Sequence, residues 1–357
     1  MNSLDLSDLR HQINQALADF TSTRSKSLVE IGSELSPVAN ALHEFINDGG
    51  KRFRPIFANL GYLAGGNRPK SEILRACTAL ELVHVCALIH DDVMDGSDTR
   101  RNKPAIHRRF ESMHQTQGLR GDAEKFGHAS AILLGDLALV WADRMLHSSG
   151  ISQDEFLNCQ DVFCEMRDEL MAGQYLDVLE GALATTSVER SMKVARFKSG
   201  KYSIERPLHF GAALAGNFQL LPTFSAYGLP LGEAFQLRDD VLGVFGDPAV
   251  TGKPAGDDLR EGKRTVLIAM TMERVDADSR QLLEKSLGNP AISDSEIKNL
   301  QQIIESSGAK AEVEKLITEL TERAISVLRE PSGGTTIATN VAEALEQMAI
   351  IATQRSL

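Results

Sequence analysis

Apolar residues recur at helical spacing along most of this chain. Near the N-terminus, Leu9, Ile13, Leu17 and Phe20 follow one another at steps of four, four and three residues, which places them on one face of a helix. No segment shows the alternation of apolar and polar residues that is typical of a strand. The pattern predicts an all-α fold, and we expect a single domain over residues 1–357. Predicted helices include those at about 37–47, 70–96, 126–146, 152–181 and 229–243, with an exposed connection over 112–125.

The predicted helix over residues 70–96 is apolar through its middle and ends in three carboxylates, Asp91, Asp92 and Asp95. On a helix of 3.6 residues per turn, Asp91 and Asp95 share one face and Asp92 lies on its flank. Carboxylates at a helix C-terminus oppose the helix dipole, so a compensating cation is expected. Such acids bind Mg²⁺ together with substrate phosphates. The alternative is a solvated acidic helix end, which is less natural directly after an apolar run.

A second pair of acids, Asp239 and Asp240, also ends an apolar helix, and Gln236 lies one turn before them. The two acidic helix ends suggest helices that face one another across a cavity with metal ions between them. Gly243 stands where a third acid would repeat the first pattern. A surface acidic pair is the alternative for this cluster taken alone.

Basic residues form sets that suit phosphate oxygens, since arginine binds them through two donors at once. They are Lys51 with Arg54, Arg100 with Arg101, Lys198, Lys253 and Lys263. The glycine–lysine pairs lack the remaining residues of a P-loop, which excludes that class of nucleotide site. His84 lies two turns before Asp91, where a histidine is commonly a core residue, and Glu81 one turn away could orient it.

The composition narrows the class of protein. With a net charge of -11, the chain has no overall positive potential that would attract nucleic acid or an anionic membrane. The four cysteines form neither a CxxC pair nor a spaced Cys/His quartet, which argues against a zinc site or a disulfide framework. The N-terminus does not have the pattern of a signal peptide, and the apolar stretch 129–142 is too short to span a bilayer. We therefore expect a soluble, cytoplasmic protein with no membrane span and no nucleic-acid partner.

These motifs together resemble those of the trans-isoprenyl diphosphate synthases, the polyprenyl synthetase family. They are Gly49-Gly50-Lys51-Arg52-Phe53-Arg54-Pro55, His84, Leu88 to Asp95, Arg100-Arg101 with Pro104 and His107, Lys198-Ser199, Phe235 to Asp240 and Gly252-Lys253, in the family's order from about residue 40 to 265. The resemblance implies the isoprenoid synthase fold, a large antiparallel helix bundle around a central cavity, usually as a homodimer. It also implies Mg²⁺ as cofactor, about three ions bound with an allylic diphosphate.

The family's functional residues carry over onto this sequence position by position. The resemblance implies magnesium binding by Asp91, Asp92, Asp95, Asp239 and Asp240, with Asp258 as a water-mediated contact. It implies allylic diphosphate binding by Arg100, Lys198, Ser199, Gln236, Lys253 and Lys263. It implies isopentenyl diphosphate binding by Lys51, Arg54, His84 and Arg101. The implied catalytic set is Asp91, Asp92, Asp95, Arg100, Lys198, Asp239 and Asp240. Because Asp257 and Asp258 are adjacent, either could make the water-mediated metal contact. The second acidic motif departs from the family's full pattern at Gly243.

The implied reaction is the head-to-tail condensation of isopentenyl diphosphate with an allylic diphosphate, giving an all-trans prenyl diphosphate. Cationic groups stabilise the departing pyrophosphate, and the double bond of isopentenyl diphosphate attacks the allylic cation in a dry cavity. In this family bulky residues at the positions of Cys86 and Ala87 resemble a stopper, and both are small here. The first motif also lacks the two-residue insertion typical of bacterial farnesyl enzymes. We expect geranylgeranyl diphosphate as product.

Four alternatives remain open at this point. The product could be a longer polyprenyl diphosphate or farnesyl diphosphate. A class I terpene cyclase shares the fold and a first acidic motif, but typically has an Asn/Ser/Glu metal motif in place of the second acids. A non-catalytic subunit of a heteromeric synthase commonly lacks one acidic cluster, whereas this chain has both.

Overall fold

The computed structural model describes residues 4–183, 186–247, 256–330 and 336–354. Within these ranges the chain is almost entirely helical, which confirms the prediction of an all-α fold. The described strands are two-residue segments, Thr99–Arg100 (β1) and Lys103–Pro104 (β2), which pair antiparallel as a small hairpin.

The helices follow one another with short connections. The first half of the chain contains α1 (Leu6–Ile31), α2 (Ser36–Asn47), α3 (Phe53–Leu63), α4 (Ser71–Met94), α5 (Ile106–Thr116), α6 (Ala123–His147) and α7 (Gln153–Leu183). The second half contains α8 (Val188–Val194), a π-helix (Ala195–Glu205), α9 (Arg206–Leu214), α10 (Leu221–Phe245), α11 (Asp257–Glu261), α12 (Val266–Arg274), α13 (Ala277–Ser286), α14 (Asp294–Ser306), α15 (Ala309–Arg329) and α16 (Thr339–Thr353). Two 3₁₀ turns, Ser33–Leu35 and Phe218–Leu220, precede α2 and α10.

Two predicted boundaries are wrong. The connection predicted over residues 112–125 is helical at both ends, because α5 continues to Thr116 and α6 begins at Ala123. The helix predicted to begin near residue 229 begins at Leu221 and runs past Gly243 to Phe245. Pro230 interrupts the apparent periodicity, yet it is accommodated inside α10 at the loss of one backbone hydrogen bond.

The chain divides into two compact units. The first unit comprises Met1–Val162, Pro207–Phe218 and Ala338–Ala344. In it, α4 packs against α6 and α3, α5 packs against α6, and α1 packs against α2. The predicted stripe of α1 is confirmed where Ile13 and Leu17 are fully buried. The prediction of a single domain over the whole chain stays a prediction.

The second unit comprises Phe163–Arg206, Gln219–Ile337 and Leu345–Leu357. Its core lies around α10, which packs against the π-helix and α15. Gly200 of the π-helix and Gly232 of α10 touch backbone to backbone, since a Cβ on Gly232 would lie 2.6 Å from the Cα of Gly200. Glycine is therefore required where these two helices cross.

Among the described helices, α4 has the length and hydropathy of a membrane span. Two thirds of its most apolar window is buried inside the protein, at 67%. The core of a folded unit accounts for that apolar composition.

Candidate active site

A line of accessible residues runs along the C-terminal half of α4, although α4 is fully buried from residue 76 to residue 83. His84, Ala87, Leu88, Asp91 and Asp95 are all half-buried. They follow one another at steps of three, one, three and four residues, which puts them on one face of the helix, and we call this face the α4 stripe. Along the stripe the side chains change from apolar, at Ala87 and Leu88, to carboxylate, at Asp91 and Asp95. At 1.5 Å per residue this change takes place within about 10 Å. One helix face can therefore contact both an ionised group and a hydrocarbon chain.

The three acids that end α4 lie in two different environments. Asp91 and Asp95 belong to the α4 stripe, and the backbone N–H of Asp95 donates to the carbonyl of Asp91 at 2.8 Å. Asp92 is only 1% exposed and forms an ion pair with Arg100 of β1. The Arg100 Nε–H donates to Asp92 Oδ1 at 2.9 Å. Arg100 thus lies beside this acidic motif.

Arg101 is held at the C-terminal end of α2. Its backbone is left-handed, with φ at 53°. Its guanidinium donates to the carbonyls of Phe45 at 3.3 Å and Asp48 at 3.4 Å, and lies 5.7 Å from the Phe45 ring. Burial, and then the neighbouring Arg52, lower the pKa of Arg101 below its usual value.

Arg52 was not predicted as a functional residue, and the structure gives it a central place. It precedes α3 with a left-handed backbone, φ 55°, and its guanidinium is buried. Its Nη1–H donates to Glu81 Oε1 at 2.8 Å. Glu81 is thus the ion-pair partner of Arg52, and the suggestion that it orients His84 stays a prediction.

His84 lies among cationic side chains. Its pKa is well below the usual value, first because of burial and then because of Arg54, Arg101, Arg100 and Arg52, in that order. The imidazole is therefore neutral at pH 7. Arg54 is buried in the first turn of α3, whereas Lys51, three residues earlier, is exposed. His84, Arg54 and Arg101 are thus close enough to interact electrostatically. They are three of the four residues predicted to bind isopentenyl diphosphate.

The two residues predicted to set the length of the product differ in position. Ala87 belongs to the α4 stripe, whereas Cys86 is fully buried, with its Sγ 3.7 Å from His90 Nδ1. The His90 ring lies over Gly135 of α6, where a Cβ would be 2.1 Å from Nε2. Only Ala87 of the two therefore lies on an accessible surface.

Trp141 is buried, at 4% exposure, and packs edge-to-face on Phe20 of α1 with ring centroids 6.2 Å apart. Its indole belongs to the packing between α6 and α1.

The acids of α10 lie in the second unit beside Asp258 of α11. Asp240 is 4% exposed, and burial, followed by Asp258, raises its pKa to about 8. The amide of Gln236 acts in the opposite direction on this pKa by donating to Asp240 Oδ1 at 2.7 Å, and Asp239 and Asp177 contribute smaller increases to the same value. Several carboxylates therefore crowd one place, and a bound cation would relieve their repulsion.

The absence of an acidic side chain at residue 243 has a steric reason. A Cβ on Gly243 would lie 2.0 Å from Asp258 Oδ2 and 2.3 Å from its Cγ. The carboxylate of Asp258 thus occupies the space next to α10 that a side chain at residue 243 would need. Of the doubled acids, Asp258 is the one beside the cluster by these contacts.

The π-helix places Lys198 against α7. Its Nζ–H donates to Asp177 Oδ2 at 2.6 Å, and the half-buried Ser199 follows it. Gly173, one turn before Asp177, leaves room for the backbone of Lys198, since a Cβ there would lie 2.2 Å from its nitrogen. π-Helical segments are rare and occur frequently at functional sites. Sequence periodicity gave no signal for this segment, because it assumes 3.6 residues per turn.

Lys263 lies near the same acids, with its Nζ 3.8 Å from Asp258 Oδ1 and 2.8 Å from Glu261 Oε2. Lys253, which was predicted to bind the same diphosphate, lies outside the described residues. In the part of the chain that the structure describes, no group of three or more His, Cys, Asp or Glu side chains is arranged to hold a metal ion. A magnesium ion at either acidic set would therefore need oxygen atoms from another source, such as a phosphate, to complete its shell.

Comparison with known proteins agrees with this geometry. The family model described as polyprenyl synthetase matches residues 36–304. A geranylfarnesyl diphosphate synthase of Aeropyrum pernix is 32% identical over 293 residues, which are 81% of this chain and 85% of the relative. A geranylgeranyl diphosphate synthase of Saccharolobus solfataricus is 28% identical over 332 residues, covering 92% of this chain and 91% of the relative.

A solved structure extends the likeness to the full length. The crystal structure of geranylgeranyl pyrophosphate synthase from Corynebacterium glutamicum, complexed with isoprenyl diphosphate and magnesium, aligns with a TM-score of 0.94 and 40% identity. The alignment covers 99% of this chain and 100% of that one.

Proposed function

This chain belongs to the polyprenyl synthetase family and is a prenyl diphosphate synthase, and from that premise we propose the substrates, residue roles and product that follow. The proposal is a head-to-tail condensation of isopentenyl diphosphate with an allylic diphosphate, giving all-trans geranylgeranyl diphosphate. One observation carries it: the α4 stripe joins carboxylates to apolar groups, and arginines lie around His84 at its other end.

Isopentenyl diphosphate is assigned to Lys51, Arg54, His84 and Arg101. A diphosphate needs positive charge and donors, and the arginines around His84 supply both. The neutral imidazole of His84 can donate one N–H, and because its pKa is lowered its charge does not change near pH 7. The solved relative with 40% identity contains an isoprenyl diphosphate, which supports this class of ligand.

Magnesium is assigned to the two acidic sets, Asp91, Asp92 and Asp95, and Asp239 and Asp240 with Asp258. The residues fit such an ion, because carboxylate oxygens are its preferred protein ligands and the acids beside Asp240 repel one another without a cation. When bound, magnesium would supply positive charge to the pyrophosphate leaving group. The related crystal structure contains magnesium, which supports the choice of metal.

The remaining allylic contacts are assigned to Arg100, Lys198, Ser199, Gln236, Lys253 and Lys263. Arg100 and Lys198 neutralise the charge that develops as the allylic carbon–oxygen bond breaks. Each is already placed by a carboxylate, Asp92 for Arg100 and Asp177 for Lys198, so little reorganisation is needed. The double bond of isopentenyl diphosphate then attacks the allylic cation, and the proton lost passes to the released pyrophosphate.

Geranylgeranyl diphosphate is proposed as product because the side chain at Ala87 of the α4 stripe is a single methyl group. A growing hydrocarbon can follow that stripe from Asp91 towards Ala87 without meeting a bulky group at this position. The named relatives include synthases of geranylgeranyl and of geranylfarnesyl diphosphate, so the longer product is the second candidate.

A cytoplasmic homodimer is proposed as the working form. Three apolar residues of α6, Ile132, Leu133 and Val140, are exposed at 48%, 66% and 58%. Burying them against a second copy would remove apolar surface from water. Sedimentation of the purified chain would test the dimer.

Incubation of the purified chain with isopentenyl diphosphate, Mg²⁺ and each allylic diphosphate, followed by sizing of the products, tests the function. Geranylgeranyl diphosphate is the expected main product. Failure to condense any primer would contradict the proposed activity, and release of cyclic hydrocarbons would indicate a cyclase. Asp91→Asn provides the control, because it should abolish condensation while the chain stays folded.

A further inference from the structure

One buried arginine connects the two parts of the chain that carry the proposed isopentenyl diphosphate residues. Arg52 stands between Lys51 and Arg54 in sequence. Its ion-pair partner, Glu81, lies one turn before His84 on α4. The side chains of Arg52 and Glu81 are 1% and 3% exposed, so neither is available to a ligand in solution.

The guanidinium of Arg52 ties three helices to the loop before α3. Its Nε–H donates to Asn14 Oδ1 of α1 at 2.8 Å. Its Nη1–H donates to Glu81 of α4, and its Nη2–H to the carbonyl of Ile46 in α2, each at 2.8 Å. The planar fork of an arginine reaches these three directions at once, which the single ammonium of a lysine cannot do.

The backbone around Arg52 depends on these bonds. A non-glycine residue with positive φ is strained, and such strain persists only where the surroundings enforce it. Arg52 has φ 55°, and Gly50, two residues earlier, has φ 127°. A Cβ on Gly50 would lie 3.4 Å from Arg52 Nη1, so the loop folds closely over its own guanidinium. The left-handed turn at Arg52 starts α3 at Phe53 and puts Arg54 in its first turn.

We propose that Arg52 is a positioning residue for isopentenyl diphosphate. It fixes the loop that carries Lys51 and the start of α3 against α4, and so sets Lys51 and Arg54 in place beside His84. Arg52 does not touch the substrate, because its side chain is buried and Glu81 neutralises its charge. This inference rests on the proposed function, in which Lys51, Arg54 and His84 bind that diphosphate.

Steady-state kinetics of Arg52→Lys and Glu81→Gln test the inference. A displacement of about 1 Å in a binding group can cost on the order of 100-fold, so we expect kcat/KM for isopentenyl diphosphate to fall roughly 10- to 100-fold, mainly through KM. The KM for the allylic diphosphate should stay within about twofold, because its proposed ligands are not attached to this loop.

A double variant separates positioning from folding. Removing one partner of a buried ion pair leaves an uncompensated charge, whereas apolar replacement of both partners often preserves stability. Arg52→Met combined with Glu81→Leu should therefore melt near the wild-type temperature and still show the raised KM for isopentenyl diphosphate. Thr21→Val is the matched control, since it removes a buried polar link between α1 and α2 without touching the loop.

The outcomes are distinct. A selective rise in the KM for isopentenyl diphosphate in the stable double variant, absent from Thr21→Val, supports the inference. Wild-type kinetics in the double variant, or equal rises in both KM values, overturn it. Absence of condensation by the wild-type enzyme would instead overturn the proposed function.

Discussion

Gly173 of α7 sets how closely this helix approaches Lys198. A Cβ at residue 173 would lie 2.2 Å from the Lys198 nitrogen, 2.4 Å from the carbonyl carbon of Phe197 and 2.7 Å from the Lys198 Cα. Unstrained contacts between heavy atoms are about 3.5 Å or longer, so Gly173→Ala must move the two segments apart by about 1 Å. Because the atoms that clash belong to the backbone, no side-chain rotation relieves them.

The expected effect is larger on catalysis than on folding. Overpacking costs about 1–3 kcal/mol, and the better helix propensity of alanine returns about 1 kcal/mol. The net loss in the free energy of unfolding is therefore roughly 0–2 kcal/mol, by the difference of these ranges. A shift of about 1 Å in Lys198 can cost on the order of 100-fold, and we expect a fall of that order in kcat/KM for the allylic diphosphate.

Gly181→Ala is the matched control, because the same change is made on the same helix where a Cβ meets nothing within 4 Å. It should raise the melting temperature slightly, since alanine favours a helix by about 1 kcal/mol over glycine. Its kinetics should equal those of the wild type. If Gly173→Ala matched Gly181→Ala in kcat/KM for the allylic diphosphate, the reasoning from this contact would be refuted.

Three further predictions concern the acids and the α4 stripe. Gly243→Ala pushes the flexible carboxylate of Asp258 aside, so the Mg²⁺ concentration for half-maximal activity should rise about tenfold or more with little change in melting temperature; an unchanged midpoint would contradict this. Ala87→Phe should shorten the product measured by chromatography, whereas Cys86→Phe should mainly destabilise the protein by about 1–3 kcal/mol; an unshortened product from Ala87→Phe would place the limiting wall elsewhere. The pKa of Asp240, about 8 when folded and about 4 when unfolded, means that the metal-free protein loses stability as pH rises between these values. Mg²⁺ with pyrophosphate should therefore raise the melting temperature more at about pH 8.5 than at about pH 6.5, and calorimetric shifts that are equal at both would count against this assignment.

Local pattern was enough to place Asp91 and Asp95 on one face of α4. Asp91, Asp95 and Ala87 are related by helix geometry alone, and the helix forms because its other faces are apolar and buried. The pairing of Arg100 with Asp92 spans eight residues and crosses only one turn of the chain. Such short-range relations depend little on how distant parts of the chain pack.

The contacts that sequence reasoning missed depend on long-range packing. Arg52 and Glu81 are 29 residues apart, and no sequence pattern tells which carboxylate a buried arginine will meet. Gly243 looked like a lost ligand, and only the packing of α11 against α10 shows that Asp258 fills its space. The sequence offered no means of distinguishing a π-helix from an α-helix around Lys198.

The C-terminal end of α2 carries two guanidinium groups, because Arg52 donates to the carbonyl of Ile46 and Arg101 to those of Phe45 and Asp48. A helix C-terminus alone has a partial negative charge of about half a unit and repels anions. Because Glu81 neutralises Arg52, it is the positive charge of Arg101 that reverses the sign of that local potential, while the chain as a whole keeps its net charge of -11. Salt confines such a potential to about 8 Å at physiological ionic strength. The site therefore attracts anions small enough to enter it, and the outer surface still repels nucleic acids and other large polyanions.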